Sequence, residues 1–301
     1  MEPPEVLILG GRPEGWHGAR LREAFAHLGA RIVRRDFRTL GLTLGEGASG
    51  IAGLSALPAA ALVRSIPAGG FEEVTLRLGL LHALEAMGVP VVNGPQAIER
   101  CVDKSMTSFL LHRTGLPTPP TWVTQSEDEA RALCDREAAA GQRTVLKPLF
   151  GAQGRGLRLL EGSAEIPPPD EVSGVYYLQR FIGGAEGGWR DFRVFVVAGQ
   201  AVAAMQRTGA GWITNIGQGG RAQTAAAEGR LAALAVAAAR AVGAAHAGVD
   251  LLPAPDGGWW ILEVNSMPAW QGLQSVSDID IAMHLARDVL ARARPGRPAA
   301  A

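Results

Sequence analysis

The N-terminal part of the chain alternates between short apolar runs and longer amphipathic stretches, and this alternation is the strongest constraint on the fold. VLIL is followed by ARLREAFAHLGA and then by RIVRRDF, and the runs ALVRS and VPVVN repeat the pattern around LRLGLLHALEAMG. Apolar runs of four to eight residues with β-branched side chains predict strands, and the longer stretches predict helices. Strands that alternate with helices form a parallel sheet, so we expect an α/β unit here.

The composition excludes several classes of protein. The 301 residues are 47% hydrophobic and 19% charged, which is enough for a sizeable core and for two or three subdomains. Lys+Arg and Asp+Glu both total 29, so no global field attracts nucleic acid or a membrane surface. No apolar run could span a bilayer, and Cys101 and Cys134 lack C-x-x-C spacing. We expect a cytoplasmic protein with small-molecule substrates, no nucleic-acid or membrane partner, and homo-oligomerisation left open.

Lys104 and Lys147 are the only two lysines among the 29 basic residues. A lysine is a compact charge that can meet a phosphate oxygen where a planar guanidinium does not fit. Lys104 follows Asp103, the predicted N-cap of a short helix, where a positive charge opposes the helix dipole. Lys147 lies in the apolar run TVLKPLF, where an unpaired buried charge is costly. A bound anion explains both positions; two ordinary surface lysines are the alternative.

A glycine-rich segment, GAQGRG at 151–156, follows Lys147 and precedes the predicted strand LRLL. Backbone without side chains can turn its N–H groups onto phosphate oxygens. A Walker loop joins a strand to a helix and needs G-K-[ST], whereas this segment joins two strands, which predicts a hairpin flap. An ordinary turn is the alternative, and the lysine four residues upstream favours the phosphate interpretation.

The apolar run WWILEVNS ends with Glu263 and Asn265, which share one face of a strand. The preceding run AGVDLLPA is joined to it at Pro-Asp-Gly-Gly, and this hairpin brings Asp250 near the other two side chains. Oxygen ligands of this kind suit Mg²⁺, which takes one or two carboxylates and leaves room for water and phosphate. The alternative is a strand end with an Asx-type turn before Pro268.

Two further strands are predicted in DFRVFVVAGQAVAAMQRT, joined at Ala-Gly-Gln. Alternation places Asp191 and Arg193 on one face, and Arg207 ends the second strand. These charges predict either a polar cleft that faces a ligand or a structural ion pair of Asp191 with Arg193 or Arg207. The Ala-rich stretch AAEGRLAALAVAAARAVGAA predicts a largely buried helix on this sheet.

The ordered motifs DK, VLKPLFGAQGRG, LQRFI, DFRVFVV, R-x(7)-N, GVDLL and EVNS resemble those of the ATP-grasp carboxylate–amine ligases, closest to the RimK-like alpha-L-glutamate ligases. This resemblance implies a protein of the α/β class whose ATP-grasp part has the α+β arrangement of that fold. A Rossmann-like pre-ATP-grasp domain is expected at 1–92, followed by ATP-grasp subdomains at 93–180 and 181–292 that clamp the nucleotide. The tail 293–301, rich in Pro, Arg and Ala, is expected to be disordered.

The resemblance also implies residue roles. The expected ATP-binding residues are Lys104, Lys147, Gly151, Gly154 and Gly156 at the phosphates, Gln179, Arg180, Phe181 and Ile182 at the adenine, and Asp191 at the ribose. Arg207 and Asn215 are expected at the γ-phosphate and the acyl-phosphate intermediate. Asp250, Glu263 and Asn265 would hold Mg²⁺, as two ions, with Mn²⁺ as a substitute. Arg64, Arg193, Arg221 and Trp270 are the candidate substrate contacts.

The chain departs from the ribosomal-protein-modifying branch of that family at two loops. It has NIGQGG at 215–220 where those ligases carry NLHRGG, Ile213 where an Arg is expected, and NSMPAW where they carry N-x-S-P-G. Basic groups for a glutamate-rich acceptor are thus partly missing, although Arg221 could compensate. Trp270 offers a flat apolar face for a heterocycle, or it packs beneath its loop.

These features together predict an ADP-forming ligase of the EC 6.3.2 type. It would make an amide through an acyl phosphate and add L-glutamate to a small cofactor, of the tetrahydromethanopterin or methanofuran type. One alternative is a ligase that glutamylates a protein C-terminus or makes another peptide. The alternative of a different class is a catalytically silent nucleotide-binding scaffold.

Overall fold

The chain folds around three main sheets that follow one another along the sequence. A computed structural model describes residues 3–10, 15–45, 48–151, 153–183, 188–254, 257–294 and 297–298. Of the loops and turns named above, residues 11–14, 152, 184–187 and 255–256 lie outside this description, as do 295–296 and 299–301 of the tail. No helix among the described residues is long and apolar enough to cross a membrane.

The first sheet is parallel, as the alternating sequence predicts. The elements here are β1 (Glu5–Leu9), α1 (Trp16–His27), β2 (Arg31–Arg35), β3 (Gly41–Gly45), β4 (Ala48–Ala52), β5 (Ala56–Leu57), β6 (Ala60–Val63), α2 (Phe71–Ala86) and β7 (Val91–Val92). The strand order is β2-β1-β6-β7, and all three pairings are parallel. Val6 and Ile8 pack into the core that contains Phe25 of α1, whereas Leu7 and Leu9 pack into the core of α2. Both faces of β1 are therefore covered, which is why its residues from Val6 to Leu9 are all apolar.

The second sheet is antiparallel and carries Lys147 at the end of β9, while Lys104 begins the neighbouring helix α4. The elements are α3 (Pro95–Val102), α4 (Lys104–Arg113), β8 (Thr121–Thr124), α5 (Glu127–Ala139), β9 (Thr144–Lys147), β10 (Arg158–Leu160) and β11 (Tyr176–Arg180), and the strand order is β10-β9-β11-β8. Asp103 caps α4, since its side chain accepts from the amides of Ser105 at 2.8 Å and Met106 at 3.2 Å. The antiparallel pairing of β9 with β10 confirms the predicted hairpin.

The third sheet is also antiparallel, in the order β14-β13-β12-β15-β16. Its region comprises β12 (Trp189–Val197), β13 (Gln200–Gly209), β14 (Arg221–Ala225), α6 (Gly229–Val242), β15 (His246–Pro253), β16 (Trp259–Asn265), α7 (Gln271–Gln274), α8 (Ile281–Arg292) and β17 (Arg297–Pro298). Ala198 and Gly199 join β12 to β13 with φ of 52° and 75°, as a type I′ hairpin turn requires. The buried alanines of α6 cover one face of this sheet, as predicted.

The C-terminal tail departs from the expectation of disorder at two residues. Arg297–Pro298 forms the short strand β17, which pairs antiparallel with Ala56–Leu57 of β5. Backbone pairing of this kind needs no apolar side chains, which is why a polar, Pro-containing segment can form it without the apolar period that the sequence lacks.

Candidate active site

A cleft of about 120 Å³ between the second and third sheets brings most of the predicted site residues together. Its lining includes Lys104, Lys147, Gly151, Gly154, Gln179, Arg180, Phe181, Ile182, Asp191, Arg207, Asn215, Asp250 and Glu263. A smaller adjoining pocket is lined by Asn265 and shares Lys104, Gly151 and Glu263 with the cleft. Residues from six strands, one helix and three loops, distant in sequence, therefore face one volume.

The two lysines reach the cleft from different elements, Lys147 from the end of β9 and Lys104 from the first turn of α4. Lys147 Nζ donates to Gln179 Oε1 at 2.6 Å, and Lys104 Nζ donates to the carbonyl oxygen of Gly151 at 2.8 Å. Burial lowers the pKa of Lys147 to about 8; Glu263 partly opposes this shift and the neighbouring charge of Lys104 adds to it. Burial likewise lowers the pKa of Lys104. Both ammonium groups hydrogen-bond only neutral oxygens in the described residues, so an anion such as a phosphate would be a stronger partner.

The glycine-rich flap touches the loop after β13. Gly154 has φ of 68°, and a Cβ at this position would lie 2.5 Å from Asn215 Oδ1. Gln218 Nε2 also donates to the carbonyl oxygen of Gln153, at 2.6 Å. Gly156 is close to the cleft wall, because a Cβ there would approach Pro148 Cγ to 2.8 Å. The flap therefore fits against the loop that carries Asn215 only because residue 154 has no side chain.

A network of buried arginines and aspartates forms the floor of the cleft. Arg207 makes a bidentate ion pair with Asp191, and its Nη2 is also 3.0 Å from Asp250 Oδ2. The guanidinium of Arg193 donates two hydrogen bonds of 2.6 Å to the carboxylate of Asp250. Burial acts to raise the pKa of Asp250, but Arg193 and then Arg207 outweigh it and lower that pKa. The ion pair of Asp191 with Arg207, one of the two interpretations of these charges, is present, and both residues also line the cleft.

The candidate magnesium ligands are adjacent on β15 and β16. Asp250 is paired with Glu263 across the two strands, and Asn265 Nδ2 donates to Glu263 Oε1 at 2.9 Å. Within the described residues, no group of three or more His, Cys, Asp or Glu side chains could hold a metal ion. The set here is two carboxylates and one amide that face two lysines, which fits Mg²⁺ shared with substrate phosphates rather than a cage made only of protein.

An aromatic wall that sequence reasoning missed lies beside the predicted adenine segment. Phe181 is 5.9 Å from the ring of Trp189 and 5.8 Å from that of Trp212, and all three line the cleft. The backbone N–H of Phe181 donates to the carbonyl oxygen of Arg143 at 2.8 Å. Trp189 shares a strand face with Asp191, so the alternation in β12 could have identified it; Trp212 lies in a loop and has no such signal.

The other candidate substrate residues are not in the cleft. Arg193 lies behind Asp250, and Arg221 is an exposed residue of β14. Arg64 lines a separate cavity in the first sheet and lies over Trp270, 4.4 Å from the ring. Trp270 is 0% exposed and packs against His17 and Phe195. In this structure its flat face is covered by protein, which corresponds to the packing alternative.

The sequence is similar to one family of ligases. Residues 101–289 match the RimK-like ATP-grasp domain. The tetrahydromethanopterin:alpha-L-glutamate ligase of Methanococcus maripaludis is 36% identical over 236 residues, which cover 76% of this chain and 78% of that protein. The enzyme of the same name from Methanocaldococcus jannaschii is 38% identical over 67% of this chain and 70% of its own. A probable alpha-L-glutamate ligase of Xanthomonas axonopodis is 36% identical over 74% and 80%.

Solved structures show the same fold. The ATP-grasp ligase PsnB, complexed with a minimal precursor, superimposes with a TM-score of 0.74 at 22% identity, over 96% of this chain and 99% of its own. A RimK domain protein from Sphaerobacter thermophilus superimposes with a TM-score of 0.69 at 24% identity, over 95% and 99%. One PsnB structure contains Mg and ADP, which fits the general use of ATP and Mg²⁺ by ATP-grasp ligases.

Proposed function

Because the chain belongs to the RimK-like ATP-grasp family of ligases, we propose that it uses ATP to add L-glutamate to a small cofactor acceptor of the tetrahydromethanopterin or methanofuran type. The observation that carries this proposal is the single cleft in which two lysines and a glycine flap face two carboxylates and Arg207. The names of the similar archaeal enzymes support the choice of glutamate and of a pterin-type acceptor.

The residues of the cleft fit a reaction in two steps. A carboxylate oxygen of the acceptor attacks the γ-phosphorus of ATP and ADP leaves, which gives an acyl phosphate. The amine of glutamate then attacks the acyl carbon and phosphate leaves, with loss of one proton from nitrogen. Lys104, Lys147 and the flap would hold the phosphates, while Arg207 and Asn215 would face the transferred group. No protein nucleophile is needed, because positioning and charge stabilisation suffice.

Asp250, Glu263 and Asn265 would hold Mg²⁺, and the metal would supply neutralisation of the charge that develops on the phosphates. In this structure Asp250 is held by Arg193, so Asp250 can bind a cation only after that ion pair loosens. Arg193 would then be released beside the cleft, where it could pair with a substrate carboxylate. This exchange of partners is the basis for keeping Arg193 among the proposed substrate residues.

Several finer points belong to the same proposal. We expect two Mg²⁺ ions with Mn²⁺ as a substitute, domain boundaries near 92, 180 and 292, and small-molecule partners only. Cys101 and Cys134 are both free, which supports a reducing cytoplasmic setting. Homo-oligomerisation is compatible with the proposal and can be measured by light scattering.

The test is phosphate release from Mg·ATP by the purified protein with L-glutamate and a panel of acceptors, with the products identified by mass spectrometry. A mass increase of one or more glutamate residues on a pterin or furan carrier supports the proposal. Glutamate addition to a protein C-terminus, or a peptide product without a cofactor, would replace it with the alternative ligase. Nucleotide binding without turnover on small-molecule and protein acceptors would favour a silent scaffold.

A further inference from the structure

A second cavity, of about 250 Å³, lies in the first sheet and is separate from the cleft. We call it the N-terminal cavity; its lining includes Gly10, Gly15, His17, Arg34, Arg64 and Ser65. These residues lie at the carboxyl ends of β1, β2 and β6 and at the amino end of α1. In the order β2-β1-β6-β7, β2 follows β1 in the chain and lies on one side of it, whereas β6 lies on its other side. The cavity therefore occupies the crevice beside β1 where the strand order reverses. Such crevices are where open α/β sheets bind ligands.

The described residues that line this cavity include basic side chains. His17, Arg34 and Arg64 contribute basic side chains, and among the described residues that line it there is no Asp or Glu. The N-cap of α1 is Gly15, which offers no side-chain acceptor, and the first turn of α1 contains no acidic residue. The first turn of this 12-residue helix therefore places no acidic side chain against its positive end.

Arg64 supplies an independent sign of a missing partner. Its Nη2 donates to the carbonyl oxygen of Pro268 at 2.9 Å, but its Nε is buried without a hydrogen-bond partner among the described residues. Trp270 Nε1, whose ring lies beneath the Arg64 guanidinium, is also buried without a partner there. Burial lowers the pKa of Arg64 to about 10, and no carboxylate contributes to that shift. A buried donor without an acceptor is costly, and no carboxylate among the described residues offsets the charge of Arg64, so an anion in the cavity would give this guanidinium a counter-ion.

His17 adds a neutral donor to the same place. The backbone N–H of Trp270 donates to His17 Nε2 at 3.1 Å, so Nε2 is the acceptor and Nδ1 carries the proton. Burial, and then the charge of Arg64, lower the pKa of His17 to about 4, which keeps the ring neutral near pH 7. Arg64 and His17 both hydrogen-bond the segment that follows β16, through Pro268 and Trp270, and Pro268 lies close to β15, since a Cβ added at Gly248 would be 2.9 Å from Pro268 Cβ. The cavity and the cleft are therefore joined by one short segment.

We propose that the N-terminal cavity binds an anionic group of the acceptor, a carboxylate or a phosphate remote from the reacting carboxylate, through Arg64, His17 and the amino end of α1. The proposal rests on the proposed function for its acceptor, but the anion site itself can be measured without turnover. Arg64 acts here as a substrate-binding residue at a distance from the chemistry.

The experiment is isothermal titration of inorganic phosphate and of glutarate into the protein saturated with Mg²⁺ and a non-hydrolysable ATP analogue, which keeps both probes out of the phosphate positions of the cleft. We expect at least one probe to bind, and R64M to weaken that binding by at least about tenfold. Phosphate binding alone or glutarate binding alone identifies the anionic group. The matched control is R136M, because Arg136 also lies over a tryptophan, 5.7 Å from the Trp122 ring, at an exposed site. R136M should bind the probes as the wild type does.

R64K guards against a folding defect in R64M, since it keeps the charge but loses the fork of donors; its affinity should lie between the two. Failure of both probes to bind the wild type, or equal affinity in R64M and R136M, overturns the anion site. If the probes bind but no acceptor is glutamylated, the proposed function fails and the anion site stands. If glutamylation occurs without probe binding, only the present inference fails.

Discussion

The floor of the cleft and the N-terminal cavity both involve arginines, Arg207 with Arg193 behind it in the first and Arg64 in the second, but within the described part of the chain only those of the cleft floor have carboxylate partners. Arg207 and Arg193 hold Asp191 and Asp250 in hydrogen-bonded ion pairs, whereas Arg64 hydrogen-bonds a backbone carbonyl and stacks on an indole ring. Removal of a guanidinium from the cleft floor leaves buried carboxylates without their partners, whereas removal of the Arg64 guanidinium takes away a charge that has no counter-ion among the residues that the structure describes. The same substitution should therefore destabilise the cleft strongly and the N-terminal cavity only slightly.

The difference also indicates how each region would meet its ligand. The proposed Mg²⁺ at Asp250 would have to displace Arg193, which holds that carboxylate in this structure. In the N-terminal cavity, the proposed anion would bind Arg64 without displacing a carboxylate among the described residues. Ligand binding in the cleft should accordingly involve side-chain rearrangement, and binding in the cavity should not.

The largest expected effect is on stability, from R207M. This substitution leaves Asp191 and part of Asp250 buried without compensation, so the free energy of unfolding should fall by about 3–5 kcal/mol. Urea unfolding monitored by circular dichroism measures it. R64M should change the same quantity by less than about 1 kcal/mol, because no buried carboxylate is left behind.

The control is R158M, since Arg158 pairs with Glu171 on the surface, where the two side chains are both 46% exposed. An exposed pair contributes less than about 1 kcal/mol. Equal losses in R207M and R158M would show that the network in the cleft is not the stabilising feature that its burial indicates.

The next effect is on turnover, from E263Q. Loss of one of two carboxylates at the proposed Mg²⁺ position should lower ATP turnover by about 100-fold or more and raise the Mg²⁺ concentration needed for half-maximal rate. Phosphate release at several Mg²⁺ concentrations measures both quantities. E171Q, a surface carboxylate changed in the same way, should leave them unaltered. Wild-type turnover by E263Q would remove Glu263 from the metal site.

Much of the fold and of the cleft follows from the sequence, for identifiable reasons. The parallel sheet was predictable because β1 and β6 are buried on both faces, and the proximity of Asp250 to Glu263 was predictable because a hairpin fixes the register of its strands. The partners of those charges were not fully predictable. Strand alternation left open which carboxylate each arginine would hold, and the structure pairs Arg207 with Asp191 and Arg193 with Asp250.

The N-terminal cavity shows the limit of sequence reasoning more sharply. His17, Arg34 and Arg64 lie in different elements, and each alone is an ordinary basic residue. Only the topology that places the ends of β1, β2 and β6 side by side brings them together. Likewise, nothing in the sequence around Trp270 reveals that its ring is covered by Arg64 and His17.

A smaller effect is expected from pH, through Lys147. Burial lowers the pKa of Lys147 to about 8. In the protein without nucleotide, the Lys147 ammonium is therefore mostly charged at pH 7 and mostly neutral at pH 9. Bound phosphate favours the charged form, so ATP binding above pH 8 must also take up a proton, and the Kd for ATP should rise by about tenfold over this range. Titration with a fluorescent ATP analogue measures it. K147M should bind more weakly at every pH and lose the dependence; a flat wild-type profile would contradict a phosphate contact by Lys147.

The smallest effect is expected at the flap, from G154A. Residue 154 has φ of 68°, and its added Cβ would lie 2.5 Å from Asn215 Oδ1, so the flap must shift away from the loop of β13. A left-handed alanine costs about 1 kcal/mol, which corresponds to an approximately fivefold rise in the KM for ATP with little change in Tm. G162A is the matched control, because Gly162 has extended backbone and open space at its Cβ. If both variants keep the wild-type KM, the flap does not close on the nucleotide, and the lysines and the metal ligands bind the phosphates without it.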